Sequence, residues 1–236
     1  GDVQCWGSGY PTGTSTPGGS ADSNVEEPEP VSGLARDAAL VASGSSHSCA
    51  ILDNGSVQCW GYNYYGSLGL GYRCVTGVEG SCAEDSLGSN YIGFPRYMIL
   101  PAGKTAIGLN LWYSNTCVIL NDNSYVCTGE LDGVHHSTPI YVNGSYRVAM
   151  ADGYSAVSTS GERLHLNYQA SSIGGNTGFY TCYRNSANTS YTGCGNTLYD
   201  NLRTIDGYRY YYFSNRNSCG ISSNNVLVCN TLNSYE

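Results

Sequence analysis

Short apolar runs separated by polar turns recur along this chain, and the clearest example lies between Cys49 and Cys59. Apolar residues stand on both sides of the turn sequence Asp53–Gly55, which contains an Asn-Gly pair. Asn-Gly is one of the strongest signals for a short β-hairpin. A hairpin that turns there pairs Leu52 with Ser56. Counting outward from that pair places Cys49 directly opposite Cys59.

This cysteine geometry predicts disulfide bonds within hairpins. Directly opposed residues in antiparallel strands have Cβ atoms about 4.5–5.5 Å apart, which permits a disulfide after a small adjustment. Two further pairs share the separation of ten residues, and two others are separated by twelve and eight. Zinc sites need cysteines two to four residues apart, and the sequence has no such pair. The spacing therefore predicts an extracellular protein, with the disulfides Cys49–Cys59, Cys117–Cys127, Cys219–Cys229, Cys182–Cys194 and Cys74–Cys82.

The hairpin belongs to an internal repeat. Its matching segments are residues 47–61, 115–129, 217–230 and, with Ser155 and His165 at the two cysteine positions, 154–166. A second recurring piece, an apolar stretch before each hairpin, predicts a further strand; it is found at residues 31–41, 95–107 and 139–149. Each unit thus predicts about four short strands, and a fixed repeat of such units is typical of a β-propeller.

The first repeat also resembles a known family. Residues 47–69 contain a His-x-Cys-Ala strand, an Asn-Gly turn, a Cys-Trp-Gly strand end and an Asn-x-x-Gly-x-Leu-Gly tail. This pattern resembles the repeat of the regulator of chromosome condensation family in its secreted, cysteine-bearing form. The resemblance is specific over residues 47–71, good over 94–129, weak over 139–203 and recovered over 204–230. It implies an all-β propeller of about six to seven four-stranded blades, used mostly as a binding surface.

The N-terminus interrupts the repeat. Residues 1–7 repeat the sequence of residues 55–61 except at one position, so the chain starts at the last strand of a hairpin and Cys5 is left without a cysteine partner. An odd cysteine in a secreted protein indicates a missing segment or an intermolecular bond. Either the chain is cleaved or incomplete, or a neighbouring subunit completes an open propeller by strand complementation, with Cys5 bonded between subunits. Repeated head to tail, that contact builds a filament.

The domain organisation follows from these segments: an orphan strand at residues 1–7, a Pro/Ser/Thr/Gly-rich loop at 8–33, and one domain of propeller repeats at 34–236. Four of the seven prolines lie in the loop, and Ser/Thr-rich stretches with Pro are typical of O-glycosylated stalks. The loop carries Glu26, Glu27 and Glu29, but its prolines splay these carboxylates apart, so no metal site is expected.

Charge and motifs narrow the function. The chain has 236 residues, a net charge of −8 and only ten Lys and Arg, which argues against nucleic-acid binding. No apolar run approaches the ~18 residues of a membrane span. No nucleophile elbow, phosphate loop or zinc-protease motif is present, so neither an enzyme nor a cofactor is expected. His47 recurs with the repeat and is expected to be structural, His165 replaces a half-cystine, and the adjacent His135 and His136 diverge on extended backbone.

Two sets of residues indicate contacts with other molecules. Tyrosine is enriched at interfaces and stacks on sugar rings, and two clusters are candidates: Tyr62, Tyr64 and Tyr65 in a repeat tail, and Tyr208, Tyr210 and Tyr212 on one face of a predicted strand. N-glycosylation acceptor sequences occur at Asn54, Asn143 and Asn188.

The sequence thus predicts an extracellular structural or adhesive propeller that self-associates. The alternative is a secreted carbohydrate-binding or enzyme-inhibiting propeller that uses its tyrosine-rich loops. The expected partners are a second copy, an extracellular protein or a glycan.

Overall fold

The computed structural model describes residues 1–8, 24–75, 90–131, 133–142, 144, 147–152, 155–160, 163–167, 178–181, 183–184, 191–192, 208–213, 217–222 and 227–231, and after residue 160 it describes the backbone alone. The described part of the chain is all β and holds no helix able to cross a membrane. Its strands are β1 (Gln4–Ser8), β2 (Asn24–Pro30), β3 (Ala38–Ser43), β4 (His47–Leu52), β5 (Val57–Tyr62), β6 (Tyr91–Tyr97), β7 (Ala106–Trp112), β8 (Asn115–Leu120), β9 (Tyr125–Leu131), β10 (Val134–Tyr141), β11 (Val148–Asp152), β12 (Ser155–Ser158), β13 (Arg163–Asn167), β14 (Gly178–Thr181), β15 (Tyr183–Arg184), β16 (Tyr191–Thr192), β17 (Tyr208–Phe213), β18 (Asn217–Ser222) and β19 (Leu227–Thr231).

Strands that follow one another in sequence pair antiparallel. Three sheets have four strands each and run β3–β4–β5–β6, β7–β8–β9–β10 and β11–β12–β13–β14. The smaller sheets are β1–β2, β15–β16 and β17–β18–β19. This recurring four-stranded meander confirms the predicted propeller architecture, while the number of blades stays a prediction.

The hairpin register agrees with the register counted from the sequence. The amide of Gly55 donates to the carbonyl of Leu52 at 2.8 Å, which closes the first turn. Cys49–Cys59 and Cys117–Cys127 are disulfide-bonded, each with a Cα–Cα distance of 4.1 Å. In the later repeats the backbone places Cys219 opposite Cys229 and Ser155 opposite His165. Spacing alone was sufficient here because side chains alternate along a strand with a period of two.

Neighbouring sheets pack through their first strands. β7 lies against β3 and β4, β11 lies against β7 and β8, and β17 contacts β11. The core between the first two four-stranded sheets is apolar and has its centre where these strands meet; it includes Ile51, Val57, Leu68, Ile92, Val118, Leu120 and Val126. A second cluster joins Val3 and Val31 to Trp60, so the β1–β2 sheet is packed against its neighbour.

The prediction that residues 8–33 form a loop is wrong for Asn24–Pro30, which forms β2. This strand pairs antiparallel with β1, with Gln4 opposite Pro30 and Gly7 opposite Val25. Proline cannot donate a ladder hydrogen bond, but an edge strand tolerates it where the missing amide would face away from the partner. Pairing with a distant strand thus overrode a composition that disfavours strands.

The segment after β5 folds around one buried side chain, Asn63. Its Nδ2 donates to the carbonyl of Tyr72 at 3.1 Å, and its Oδ1 accepts from the amide of Leu68 at 3.2 Å. Thr128 Oγ1 of the next sheet donates to the carbonyl of Gly66 at 2.9 Å. The repeat tail is therefore fixed between two sheets, and this fixes the tyrosines that it carries.

Candidate functional site

The strand β1 has the sequence of a repeat strand but only half of its neighbours. Residues 3–7 are identical to residues 57–61, of which β5 is made. β5 lies between β4 and β6, whereas β1 pairs with β2 alone. Among the described residues no strand adjoins the opposite edge of β1, which we call the β1 edge. This edge corresponds to the side of β5 that pairs with β4.

The cysteine of this strand is a free thiol. Cys5 is half-buried and is the free cysteine of the described residues, whereas the equivalent Cys59 and Cys127 are both disulfide-bonded. Burial raises the pKa of the Cys5 thiol above its ordinary value. A thiol with a raised pKa holds little thiolate at neutral pH and reacts slowly with small reagents.

The tryptophan of this strand lacks the cover that the repeat elsewhere provides. Trp60 is completely buried, but the equivalent Trp6 is 63% exposed. Trp60 packs with Ala50 and Leu52 of β4 and with Val3 and Val31 at the end of the neighbouring β1–β2 sheet. Among the described residues nothing takes the place of β4 or of that neighbouring sheet beside Trp6, so Trp6 lacks this cover. A large exposed aromatic side chain next to an unpaired sheet edge is typical of a surface that another polypeptide covers.

The space around three equivalent glycines gives independent evidence that the β1 edge is open. Gly7, Gly61 and Gly129 have φ angles of +117°, +108° and +101°, in the range that favours glycine. A methyl group on Gly61 would lie 2.6 Å from His47 Cα, and one on Gly129 would lie 2.0 Å from the carbonyl oxygen of Ser114. A methyl group on Gly7 would have no described atom within 4 Å beyond its chain neighbours. The conformation of β1 is thus that of a paired strand, but no described backbone lies where the partner strand would be.

A second candidate surface is formed by half-buried aromatic rings, which we call the tyrosine cluster: Tyr62, Tyr64, Tyr65, Tyr91 and His135. The ring centroids of Tyr62 and Tyr91 are 4.9 Å apart, and those of Tyr64 and Tyr65 are 5.1 Å apart in an edge-to-face contact. His135 comes from β10 of the next sheet, 5.2 Å from Tyr65, and is hydrogen-bonded to the guanidinium of Arg73. The cluster therefore bridges two sheets.

The surroundings of Tyr62 favour its neutral phenol. Burial, and to a smaller degree the neighbouring tyrosines, raise the pKa of the Tyr62 hydroxyl. Neutral rings with hydroxyl groups at their margin can stack on an apolar face and hydrogen-bond at the same time. The other predicted tyrosine patch lies on β17. The structure describes the backbone alone at this strand, with a register shift between Tyr208 and Tyr210, so the shared face with Tyr212 stays a prediction.

His47 has the structural position that its recurrence predicted. Its Nε2 is hydrogen-bonded to Thr116 Oγ1 of β8 at 2.8 Å, so it connects two sheets. The ring is almost entirely buried, and burial lowers its pKa to about 4. It is therefore a neutral packing residue at physiological pH.

The remaining predicted residues are only partly described. Asn54 is exposed in the first hairpin turn, where its Oδ1 accepts from the Ser56 amide at 3.0 Å. Cys74 is disulfide-bonded. In the described part of the chain no group of acidic, His and Cys side chains has the arrangement of a metal site. Other predicted residues lie outside the described residues, namely Cys82, Cys182, Cys194, Asn143 and Asn188.

Sequence reasoning found Cys5, Tyr62, Tyr64 and Tyr65 but missed other members of both surfaces. The Cys-Trp-Gly repeat carried a signal for Trp6 and Gly7, because each has a buried or crowded equivalent later in the chain. Tyr91 and Arg73 carried no signal, since their proximity to the cluster depends on how β6 and β10 are placed.

Comparisons with known proteins agree with the fold. Residues 39–67 match the family described as the regulator of chromosome condensation (RCC1) repeat. No curated protein sequence matches the chain significantly. Among solved structures, human WBSCR16 is similar over 95% of this chain and 55% of its own, with 15% identity and a TM-score of 0.60.

Two yeast structures are also similar. Prp20p from Saccharomyces cerevisiae, studied with its binding to Gsp1p and histones, matches 99% of this chain and 54% of its own, with 19% identity and a TM-score of 0.60. Yeast RCC1 (Prp20) bound to Kap60 matches over 70% and 39%, with 17% identity and a TM-score of 0.53. The chain thus spans about half the length of these structures, or less. It is an all-β protein with a β-propeller fold similar to that of RCC1, with an RCC1-type repeat at residues 39–67 and disulfide bonds in two of its described hairpins.

Proposed function

We propose that this chain is an extracellular structural or interaction protein that joins other polypeptides by strand addition at the β1 edge. The gap beside Gly7 is the observation that carries the proposal, because both equivalent glycines are in contact with a neighbouring strand. An unpaired edge offers a row of backbone donors and acceptors to an incoming strand. In this proposal the protein acts by binding and does not catalyse a reaction.

The energetics favour occupation of this edge. Trp6 is 63% exposed, and covering a side chain of this size contributes roughly 3 kcal/mol at about 25 cal/mol per Å². The added strand also satisfies backbone groups of β1 without a change in its conformation, because Gly7 already has the φ angle of its paired equivalents. Preorganisation of this kind reduces the entropic cost of binding.

Self-association is the form of this function that we propose first. When the partner is another copy, the β1 edge meets a different surface of that copy, so the contact is heterologous and repeats head to tail into a filament. An extracellular location is supported by the disulfides Cys49–Cys59 and Cys117–Cys127, since such bonds persist in oxidising compartments.

The test is the oligomeric state of the native protein, measured by light scattering, negative-stain electron microscopy and non-reducing intact mass. We expect assemblies that Trp6→Ala weakens. Tyr113→Ala is the matched control, because Tyr113 is 73% exposed but lies in the turn between β7 and β8. The proposal is contradicted if the protein stays monomeric with Cys5 reduced at every concentration, and also when it is mixed with extracellular fractions of its source.

A second candidate function is carbohydrate binding or enzyme inhibition by the tyrosine cluster. It is favoured by the half-buried rings held between two sheets beside Arg73, an arrangement of apolar faces and few polar groups typical of ligand sites. A glycan array would test it with Tyr64→Ala, and with Tyr97→Ala as an exposed control outside the cluster. Binding that both variants retain, or no binding by the unaltered protein, contradicts this function.

A further inference from the structure

The two hairpins with described disulfide bonds show what lies beside a strand like β1. In β4–β5 the residues opposite Gly61 and Cys59 are His47 and Cys49. In β8–β9 the residues opposite Gly129 and Cys127 are Asn115 and Cys117, and two positions further inward Ile119 lies opposite Tyr125. The neighbouring strand therefore has the same order of residues in both sheets: His or Asn, Ser or Thr, Cys, a small or β-branched residue, and Ile.

We infer that the β1 edge binds one kind of occupant, a strand of sequence [His/Asn]-[Ser/Thr]-Cys-x-Ile whose cysteine forms a disulfide with Cys5. This inference rests on the proposed function, strand addition at the β1 edge, and specifies the incoming strand; it does not depend on self-association. In the repeat register the His or Asn lies opposite Gly7, the cysteine opposite Cys5 and the isoleucine opposite Val3.

Each of these positions has a physical reason. The methyl group that Gly61 lacks would lie 2.6 Å from both His47 Cα and the carbonyl oxygen of Ser46, so the partner backbone passes where a side chain would otherwise be. No described atom fills the same volume beside Gly7. A register that is correct at this glycine also brings the two cysteines opposite each other, as in both bonded pairs with their Cα–Cα distance of 4.1 Å.

The described strands of this type are already in use. β4 lies between β3 and β5, β8 lies between β7 and β9, and β18 lies between β17 and β19. A second copy would have to take one of them out of its own sheet. The occupant is therefore a polypeptide segment other than these three strands, recognised by its sequence and by a cysteine held in a mixed disulfide with a small thiol.

The covalent step is thiol–disulfide exchange. The Cys5 thiol gives up its proton and its sulfur attacks the partner cysteine, which carries a small thiol such as glutathione in a mixed disulfide. The bond between Cys5 and the partner cysteine forms, the bond to glutathione breaks, and glutathione leaves as a thiolate that takes up the proton. No net oxidation is needed, because one disulfide replaces another.

The experiment presents the native protein with a peptide of residues 46–53, Ser-His-Ser-Cys-Ala-Ile-Leu-Asp, as its glutathione mixed disulfide. The control peptide has its cysteine moved by one position, which turns that side chain to the other face of the strand. We expect the in-register peptide to form the Cys5 adduct at least about tenfold faster, because a seated strand raises the effective concentration of its cysteine. Non-reducing intact mass follows the adduct, and fluorescence follows Trp6.

Gly7→Ala is the matched protein variant. It places a methyl group where the peptide backbone would pass but leaves Cys5 in place, so we expect it to lose the preference for the in-register peptide and to keep its rate with oxidised glutathione alone. Equal rates for the two peptides on the unaltered protein overturn the inference. If the protein then still assembles through Trp6, the proposed function stands and only the identity of the occupant is wrong. In-register capture by a protein that does not assemble supports the inference and contradicts self-association.

Discussion

Replacing each of the three equivalent glycines, Gly7, Gly61 and Gly129, by alanine tests whether a neighbouring strand lies against it. Gly61→Ala forces alanine into a φ angle of +108°, a left-handed conformation that costs about 1–2 kcal/mol. Its methyl group also meets two backbone atoms of residues 46 and 47 at 2.6 Å, and relieving such overpacking costs about 1–3 kcal/mol. We expect a total loss of about 2–5 kcal/mol in the free energy of unfolding. Gly129→Ala should lose at least as much, because its closest backbone atom would be at 2.0 Å.

Gly7→Ala is the internal comparison for this prediction. Its φ angle of +117° gives the same conformational cost, but its methyl group meets no described atom within 4 Å beyond its chain neighbours. We therefore expect a loss of only about 1–2 kcal/mol. Urea denaturation followed by circular dichroism measures all three, with an unchanged m-value as the condition for comparing midpoints. Equal losses for Gly7→Ala and Gly61→Ala in the isolated protein would refute the reasoning, since a neighbour would then already lie against Gly7.

Three further predictions follow from the described residues. Burial lowers the pKa of His47 from 6.5 to about 4, so the unfolded chain takes up a proton at higher pH than the folded protein does. The free energy of unfolding should therefore be constant above about pH 6.5 and fall by up to about 3 kcal/mol towards pH 4. His47→Asn, which introduces the residue found at the equivalent position 115, should flatten this decline in urea titrations at a series of pH values. Replacing Cys49 and Cys59 together by Ala should lower the free energy of unfolding by about 2.5–3 kcal/mol for a loop of this length. The variant should then be as stable as the unaltered protein with the same bond reduced. An unchanged free energy of unfolding would contradict a stabilising role of this disulfide. Expressed through a eukaryotic secretory pathway, the exposed Asn54 should carry an N-glycan that Asn54→Gln removes, as measured by intact mass before and after enzymatic deglycosylation.

Much of the local structure was available from the sequence because it depends on residues close together in the chain. The Asn-Gly turn and the separation of ten residues were enough to place Cys49 opposite Cys59, since strand alternation leaves one register once the turn is fixed. The same counting placed Ser155 opposite His165, where no cysteine marks the pair. Hairpin register, repeat boundaries and fold class are therefore properties of the sequence by itself.

The tertiary structure decided which segments meet across the chain. The proline-containing residues 24–30 became β2 because β1 offered them a partner, and composition cannot show such pairing. His135 joined the tyrosine cluster because β10 lies beside the tail that follows β5. The open space at Gly7 is of the same kind. The sequence around Gly7 equals that of a strand with a neighbour on both sides, and only the packing of the sheets shows that no described strand lies on one side. Long-range pairing depends on backbone hydrogen bonds that almost any sequence can make, so its partners are fixed by the assembled sheets and not by the residues of either strand.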